Sequence, residues 1–340
     1  MLALDDAAAR NAAAASGNPE PTLQVRGLTV EFPAIAGEPV VAVRGLDLGI
    51  ARGEVFGLVG ESGAGKTTLA RSLLRLPPEP GRISAGQLLF EGRDLMRLGE
   101  AELQGMRGRD ISMIVPNPRS ELNPLLPVGE QIANVARVHL RLPRRDARAM
   151  ALDILRAVQI PDPERRMAAF PHEMSGGMAQ RIVIAMALIC SPKFIVSDDA
   201  TSGLDVTVQA QILELLRRLA RDRGSALLFI TRDIGITAHF CDRVAVIYNG
   251  EIMELAARED FFFRPSHPYT IMLMAAFSYN QRLRRLWARP EPLPGMKAEA
   301  SACPYTLRCP LARERCRVER PTLRELAPGH YVRCHFPVAR

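Results

Sequence analysis

Residues 60–68 read Gly60-Glu61-Ser62-Gly63-Ala64-Gly65-Lys66-Thr67-Thr68, and the fold follows from this stretch. Upstream, residues 39–50 are largely apolar and residues 55–59 are apolar except for Gly57, which predicts two strands, the second feeding directly into the loop. Downstream, Leu69, Leu73, Leu74 and Leu76 recur at helical spacing. Strand, glycine-rich loop and helix form the setting that a phosphate-binding loop requires. Gly60, Gly63 and Gly65 let successive N–H groups curl inward around phosphate oxygens, and the helix N-terminus adds partial positive charge at the same point. In such a loop Lys66 reaches the terminal phosphates and the Thr67 hydroxyl ligates Mg²⁺. Glu61, Ser62, Ala64 and Thr68 complete the nucleotide-binding stretch.

A second constellation reads Phe170-Pro171-His172-Glu173-Met174-Ser175-Gly176-Gly177 and runs into an apolar helix extending to Leu188. Ser175 stands where an N-cap is expected. A third, Lys193-Phe194-Ile195-Val196-Ser197-Asp198-Asp199, is an apolar strand with an acidic end, and Ser202-Gly203-Leu204-Asp205 follows it. Taken in order, these motifs resemble the Walker A loop, signature, Walker B strand and D-loop of the ATP-binding subunit of an ABC transporter. The resemblance covers about residues 22–260. It implies an α/β, RecA-like P-loop ATPase core with an inserted helical subdomain, and two such domains enclosing two ATP molecules head to tail. On that basis Asp198 positions Mg²⁺ together with Thr67. Ser175, Gly176 and Gly177 complete the ATP site of the partner, and Asp205 marks the D-loop. Phe32 is the candidate for stacking on adenine, with simple packing as the alternative.

Three positions depart from the family pattern. Asp199 replaces the glutamate that positions the attacking water. Its carboxylate, one methylene shorter, retreats by about 1–1.5 Å, and misplacement on that scale costs on the order of 100-fold in rate. Pro116, in Ile111-Ser112-Met113-Ile114-Val115-Pro116, occupies the Q-loop glutamine position and supplies no side-chain amide. Arg232, in Phe229-Ile230-Thr231-Arg232-Asp233, replaces the switch histidine with a cation that cannot accept a proton. The expectation is a degenerate site that binds ATP·Mg²⁺ and hydrolyses it slowly, in a heterodimer whose partner site is competent.

Beyond the core, His267-Pro268-Tyr269-Thr270 resembles the hallmark of oligopeptide/dipeptide/nickel importers, whose ATPases carry a C-terminal extension. His267 itself reads as structural. Arg282, Arg284, Arg285 and Arg289 read as a solvated charge run, with membrane-surface contact as the alternative. Of six cysteines, Cys190 and Cys241 lie in or beside apolar elements and read as buried thiols. Cys303, Cys309, Cys316 and Cys334 crowd into the tail. Four thiolates leave iron–sulfur, zinc and no metal open. The family's C-terminal module favours a [4Fe–4S] cluster.

The chain of 340 residues has room for about two domains. The organisation expected is a disordered tail at 1–20, an ATP-binding domain at 21–260 with its helical subdomain at about 100–175, and an extension at 261–340 ending in a small Cys-rich module. Helices are predicted at 101–106, 128–140 and 145–158. No early hydrophobic segment suggests a signal peptide, and no apolar run approaches the roughly 18 residues of a membrane span. The net charge of +7 comes without a basic stripe interleaved with aromatics, which make up only 5% of residues. A nucleic-acid partner is therefore not expected. The resemblance implies a second ABC ATPase, two transmembrane permease subunits and an extracytoplasmic solute-binding protein as partners, at the cytoplasmic face of the inner membrane. The alternatives are a soluble non-transport ABC ATPase and a non-hydrolysing regulatory subunit.

Overall fold

The strands are β1 (Leu23–Phe32), β2 (Val40–Ile50), β3 (Val55–Val59), β4 (Arg82–Phe90), β5 (Arg93–Asp94), β6 (Ile111–Ile114), β7 (Phe194–Asp198), β8 (Ala226–Thr231), β9 (Arg243–Tyr248), β10 (Glu251–Ala257), β11 (Arg324–Ala327) and β12 (His330–Val332). The structure, a computed structural model, describes residues 21–34, 37–277 and 299–338. The expected tail at 1–20 and the arginines at 282, 284, 285 and 289 lie outside the described residues. Two compact units divide the chain: residues 21–49, 56–91 and 231–338 form the first, residues 50–55 and 92–230 the second.

In the first unit β1 runs antiparallel to β4, pairing Leu23 with Phe90 and Val25 with Leu88, and β2 flanks β1 on the other side. Leu23, Val25, Leu28 and Val30 are all but fully buried, so one face of this sheet is core. The loop-bearing strand β3 pairs in parallel with β9, Phe56 opposite Arg243 and Val59 opposite Val246. β9 turns back into β10, and β12 then adds to the edge of β10 with Leu255 opposite Tyr331. β11 closes that edge. Strands from residues 324–332 thus extend the sheet that carries the phosphate loop. The helix Lys66–Leu73 buries Leu69, Ala70 and Leu73 and lies against β1.

In the second unit β6, β7 and β8 run parallel, with Ile111 opposite Phe194 and Asp198 opposite Ile230. β7 and β8 are buried throughout, the pattern of strands covered on both faces. The helix Gly176–Leu188 is apolar around most of its circumference. It packs against Pro118–Glu121, Val128–Leu140, Arg144–Ala157, Val206–Arg223 and β6, as an all-round hydrophobic helix must. The predicted helices occur as Glu100–Met106, Val128–Leu140 and Arg144–Ala157, within a residue of expectation at each end. Gly224, at φ 63°, ends the helix Val206–Arg223 in the left-handed conformation that favours glycine. Among the described residues no helix is long and apolar enough to cross a membrane.

Candidate functional site

The phosphate loop is a cradle that only glycine can line at two points. A Cβ at Gly60 would stand 2.4 Å from the Ile247 carbonyl oxygen. At Gly65 it would stand 2.4 Å from the Ala42 carbonyl oxygen, on a residue whose φ is already 100°. The backbone behind is closed by Gly250, whose N–H donates to the Ala64 carbonyl at 3.0 Å and whose own carbonyl accepts the Arg44 N–H at 3.0 Å. Lys66 is buried, its ammonium donating to the carbonyls of Gly60 at 2.7 Å and Glu61 at 2.8 Å. Thr67 and Ser62 are exposed and Thr68 is half-buried, at or beside the first turn of the helix. Glycine backbone, one cation and a hydroxyl at the start of a helix form a set that fits a nucleotide phosphate with its Mg²⁺.

Glu61 is held at all three of its polar ends. Its carboxylate takes a bidentate pair from Arg308 at 2.6 and 3.0 Å, its N–H donates to the Tyr269 hydroxyl at 3.2 Å, and its carbonyl accepts from Lys66. The Arg308 guanidinium lies 5.9 Å from the Tyr248 ring centroid and 6.0 Å from that of Tyr305. The carboxylate of Glu61 raises the Arg308 pKa still further above the ordinary arginine value. The resemblance drew attention to Tyr269 but to no role for it, and Arg308 was missed. Nothing in a pair separated by 247 positions signals contact.

The stretch around His267 is fixed by a fully buried carboxylate. Glu254 accepts the N–H groups of Ser266 at 2.7 Å and His267 at 3.0 Å, and pairs with His330 Nε2 at 2.7 Å. His267 Nδ1 in turn accepts the Tyr269 N–H at 2.9 Å. Burial lowers the His267 pKa to about 4, so the ring is neutral, in keeping with a structural role. Arg232 is exposed, just past β8. Phe32 is half-buried at the end of β1, its ring so close to Gly81 that a Cβ there would meet it at 2.8 Å.

Elements of the second unit carry the remaining motifs. Asp198, at the carboxyl end of β7, is buried at 3% exposure. Asp199 is left-handed at φ 47°, and its N–H donates to the Ile230 carbonyl at 2.9 Å. Ser175 caps the helix Gly176–Leu188, its Oγ accepting the Met178 N–H at 3.3 Å. Asp205 caps the helix Val206–Arg223, Oδ1 accepting the Val208 N–H at 2.9 Å. The two caps adjoin: a Cβ at Gly177 would lie 2.9 Å from Val208 Cγ1, and one at Gly176 3.7 Å from Leu204 Cδ2. Signature and D-loop are therefore one packed corner. Pro116 is half-buried between β6 and the helix Pro118–Glu121.

Cys303, Cys309, Cys316 and Cys334 line one cavity with His267, Tyr305 and His335, and the Cys303 N–H donates to the Cys316 carbonyl at 2.9 Å. Burial pushes Cys303 and Cys334 up to about 11. Among the described residues no group of three or more His, Cys, Asp or Glu side chains is arranged to hold a metal ion. Cys241 is fully buried as expected. Cys190 is only half-buried, because it lies just beyond the end of its helix, where the chain turns through Ser191 at φ 53°.

Residues 43–202 match the family model for ABC transporters, and residues 253–316 match that for the oligopeptide/dipeptide transporter C-terminal region. The chain is 44% identical to the probable peptide ABC transporter ATP-binding protein y4tR of Sinorhizobium fredii, across 92% of this chain and 94% of that protein. It is 41% identical to the dipeptide transport ATP-binding protein DppD of Bacillus subtilis, across 93% of this chain and 94% of that one. The dimeric ATP-binding cassette MJ0796, solved in a post-hydrolysis state with ADP and Pi, superposes with a TM-score of 0.62 at 25% identity, covering 69% of this chain and 98% of that one.

Proposed function

The chain belongs to the ATP-binding subunits of the oligopeptide/dipeptide ABC transporter family, and we propose that it energises the import of peptides or similar small solutes. The observation that carries this reading is the cradle at 60–68, where Gly60 and Gly65 leave backbone room that any side chain would fill. ATP is held there by the loop N–H groups and Lys66, with Phe32 against the adenine. Thr67 and Asp198 are each proposed as Mg²⁺ residues, and the ion would neutralise phosphate charge.

The ATPase domain spans 21–260, with the permease-facing helices at about 100–175 and the extension at 261–340. Hydrolysis at its own loop is slow, because Asp199, Pro116 and Arg232 stand at the three catalytic positions. The corner formed by Ser175, Gly176, Gly177 and Asp205 instead aims a helix N-terminus at the ATP of a partner ATPase, where it stabilises charge developing on the γ-phosphate. The assembly is a heterodimer of ATPases on two permease subunits, served by a solute-binding protein, at the cytoplasmic face of the membrane. The four tail cysteines are assigned to a [4Fe–4S] cluster. Support comes from their convergence on one cavity; among the described residues the four thiols do not form a group arranged to hold a metal ion. Cluster loading requires those thiols to lose their protons.

The test is turnover by the assembled transporter after the partner's catalytic glutamate is changed to glutamine. Loss of nearly all ATPase activity is expected. Substantial residual turnover, or brisk hydrolysis by this subunit alone, overturns the asymmetric reading. A broad visible absorbance that disappears in Cys309→Ser tests the cluster.

A further inference from the structure

We propose that Arg308 and Tyr269 are positioning residues for the phosphate-binding loop, through which the C-terminal segment sets the nucleotide affinity of residues 60–68. The inference rests on the reading that this loop binds ATP. Three glycines make the loop costly to order, since glycine loses more backbone freedom than any other residue. Glu61 is the point at which that freedom is removed. Arg308 holds its carboxylate and Tyr269 its N–H, with Lys66 on its carbonyl.

The holders are themselves rigid. Arg308 is 10% exposed, and the rings of Tyr248, Tyr269 and Tyr305 pack against one another with centroids 4.8–5.3 Å apart. Tyr269 is anchored through His267 to the buried Glu254, and Arg308 directly precedes Cys309 of the thiol cavity.

The charge of the pair matters as much as its geometry. Glu61 places a carboxylate inside a loop that must hold a polyphosphate, and Arg308 neutralises it. Without Arg308, the loop offers phosphate a repelling anion on a looser backbone. The arrangement therefore lets any change in the fold of residues 303–309 reach the nucleotide through one side chain.

The experiment measures Mg·ATP affinity of the full chain by displacement of trinitrophenyl-ATP, at low and high salt, with Lys66→Ala as the control for the site itself. Arg308→Ala is expected to weaken binding roughly tenfold, more at low salt. Glu61→Gln added to Arg308→Ala should restore part of the loss, by removing the repelling charge while the backbone stays untethered, which a merely structural role of Arg308 does not predict. Affinity within twofold of wild type in Arg308→Ala, or a loss that Glu61→Gln leaves unchanged, overturns the proposal while Lys66→Ala still abolishes binding. Retained binding in Lys66→Ala overturns the site reading instead. Should Arg308→Ala fail to fold, Arg308→Lys and Tyr269→Phe carry the test: each is expected to weaken binding about threefold, and wild-type affinity in both overturns it.

Discussion

Arg308 and Glu61, 247 positions apart in the chain, form a bidentate ion pair at 2.6 and 3.0 Å beside the phosphate loop. Residues near the C-terminus therefore contact the loop as well as adding strands to the sheet. The pair is mostly withdrawn from water, with Arg308 10% and Glu61 33% exposed, so removing one partner costs more than the loss of a surface salt bridge would.

The cradle itself tolerates no side chain at its last glycine. Gly65→Ala forces a Cβ to within 2.4 Å of the Ala42 carbonyl oxygen on a residue at φ 100°. Loss of ATP affinity by at least about 100-fold is expected, since the misplaced loop no longer matches the phosphates. Equilibrium binding of labelled ATP checks this, and affinity near that of wild type refutes it.

Ser175→Ala separates the signature's role from nucleotide binding by this chain. Removing the Oγ that caps Met178 costs about 1 kcal/mol of stability. ATP affinity of the isolated chain stays unchanged, while ATPase turnover of the assembled transporter falls. A drop in the isolated chain's ATP affinity would count against a signature that serves the partner.

The proposed degeneracy predicts a gain in hydrolysis when the family residues are put back. In the triple variant Pro116→Gln, Asp199→Glu, Arg232→His, hydrolysis at the site rises by about 100-fold, the scale set by one misplaced carboxylate. The measurement uses transporter whose partner site has been inactivated. An unchanged rate shows that these three positions do not limit turnover.

Stability should fall in mild acid through His267. Unfolded histidine protonates near pH 6.5, whereas burial holds folded His267 to about 4. Between these values the unfolded chain binds more protons, so stability rises with pH. The contribution is complete above about 6.5 and is lost as pH falls toward 4, by roughly 3 kcal/mol at the lower end. His267→Asn keeps an acceptor for the Tyr269 N–H but does not titrate. The stability difference between wild type and variant, from urea denaturation at pH 7.5, 5.5 and 4.5, should narrow with acid. A constant difference rules the mechanism out.

Much was legible in the chain because it is local. The strand, loop and helix around 60–68 follow from a few residues of apolar periodicity and glycine spacing. The cap at Ser175 and the helices expected at 128–140 and 145–158 follow in the same way, the second shifted by one residue in the structure. Strands β11 and β12 were not legible: seven short, mixed residues carry no clear period and gain strand geometry only by pairing with β10.

The sequence by itself determined the phosphate loop, the ordered motifs and the family, because each is written in consecutive residues whose spacing the backbone translates directly into geometry. Only the tertiary structure decided who holds the loop. Glu254 orders His267 and Tyr269, and Arg308 reaches Glu61, through contacts whose partners are distant in the chain and are brought together by sheet pairing and burial. A bidentate pair or a buried carboxylate leaves no periodic trace in sequence, since its strength comes from exclusion of water in the folded state.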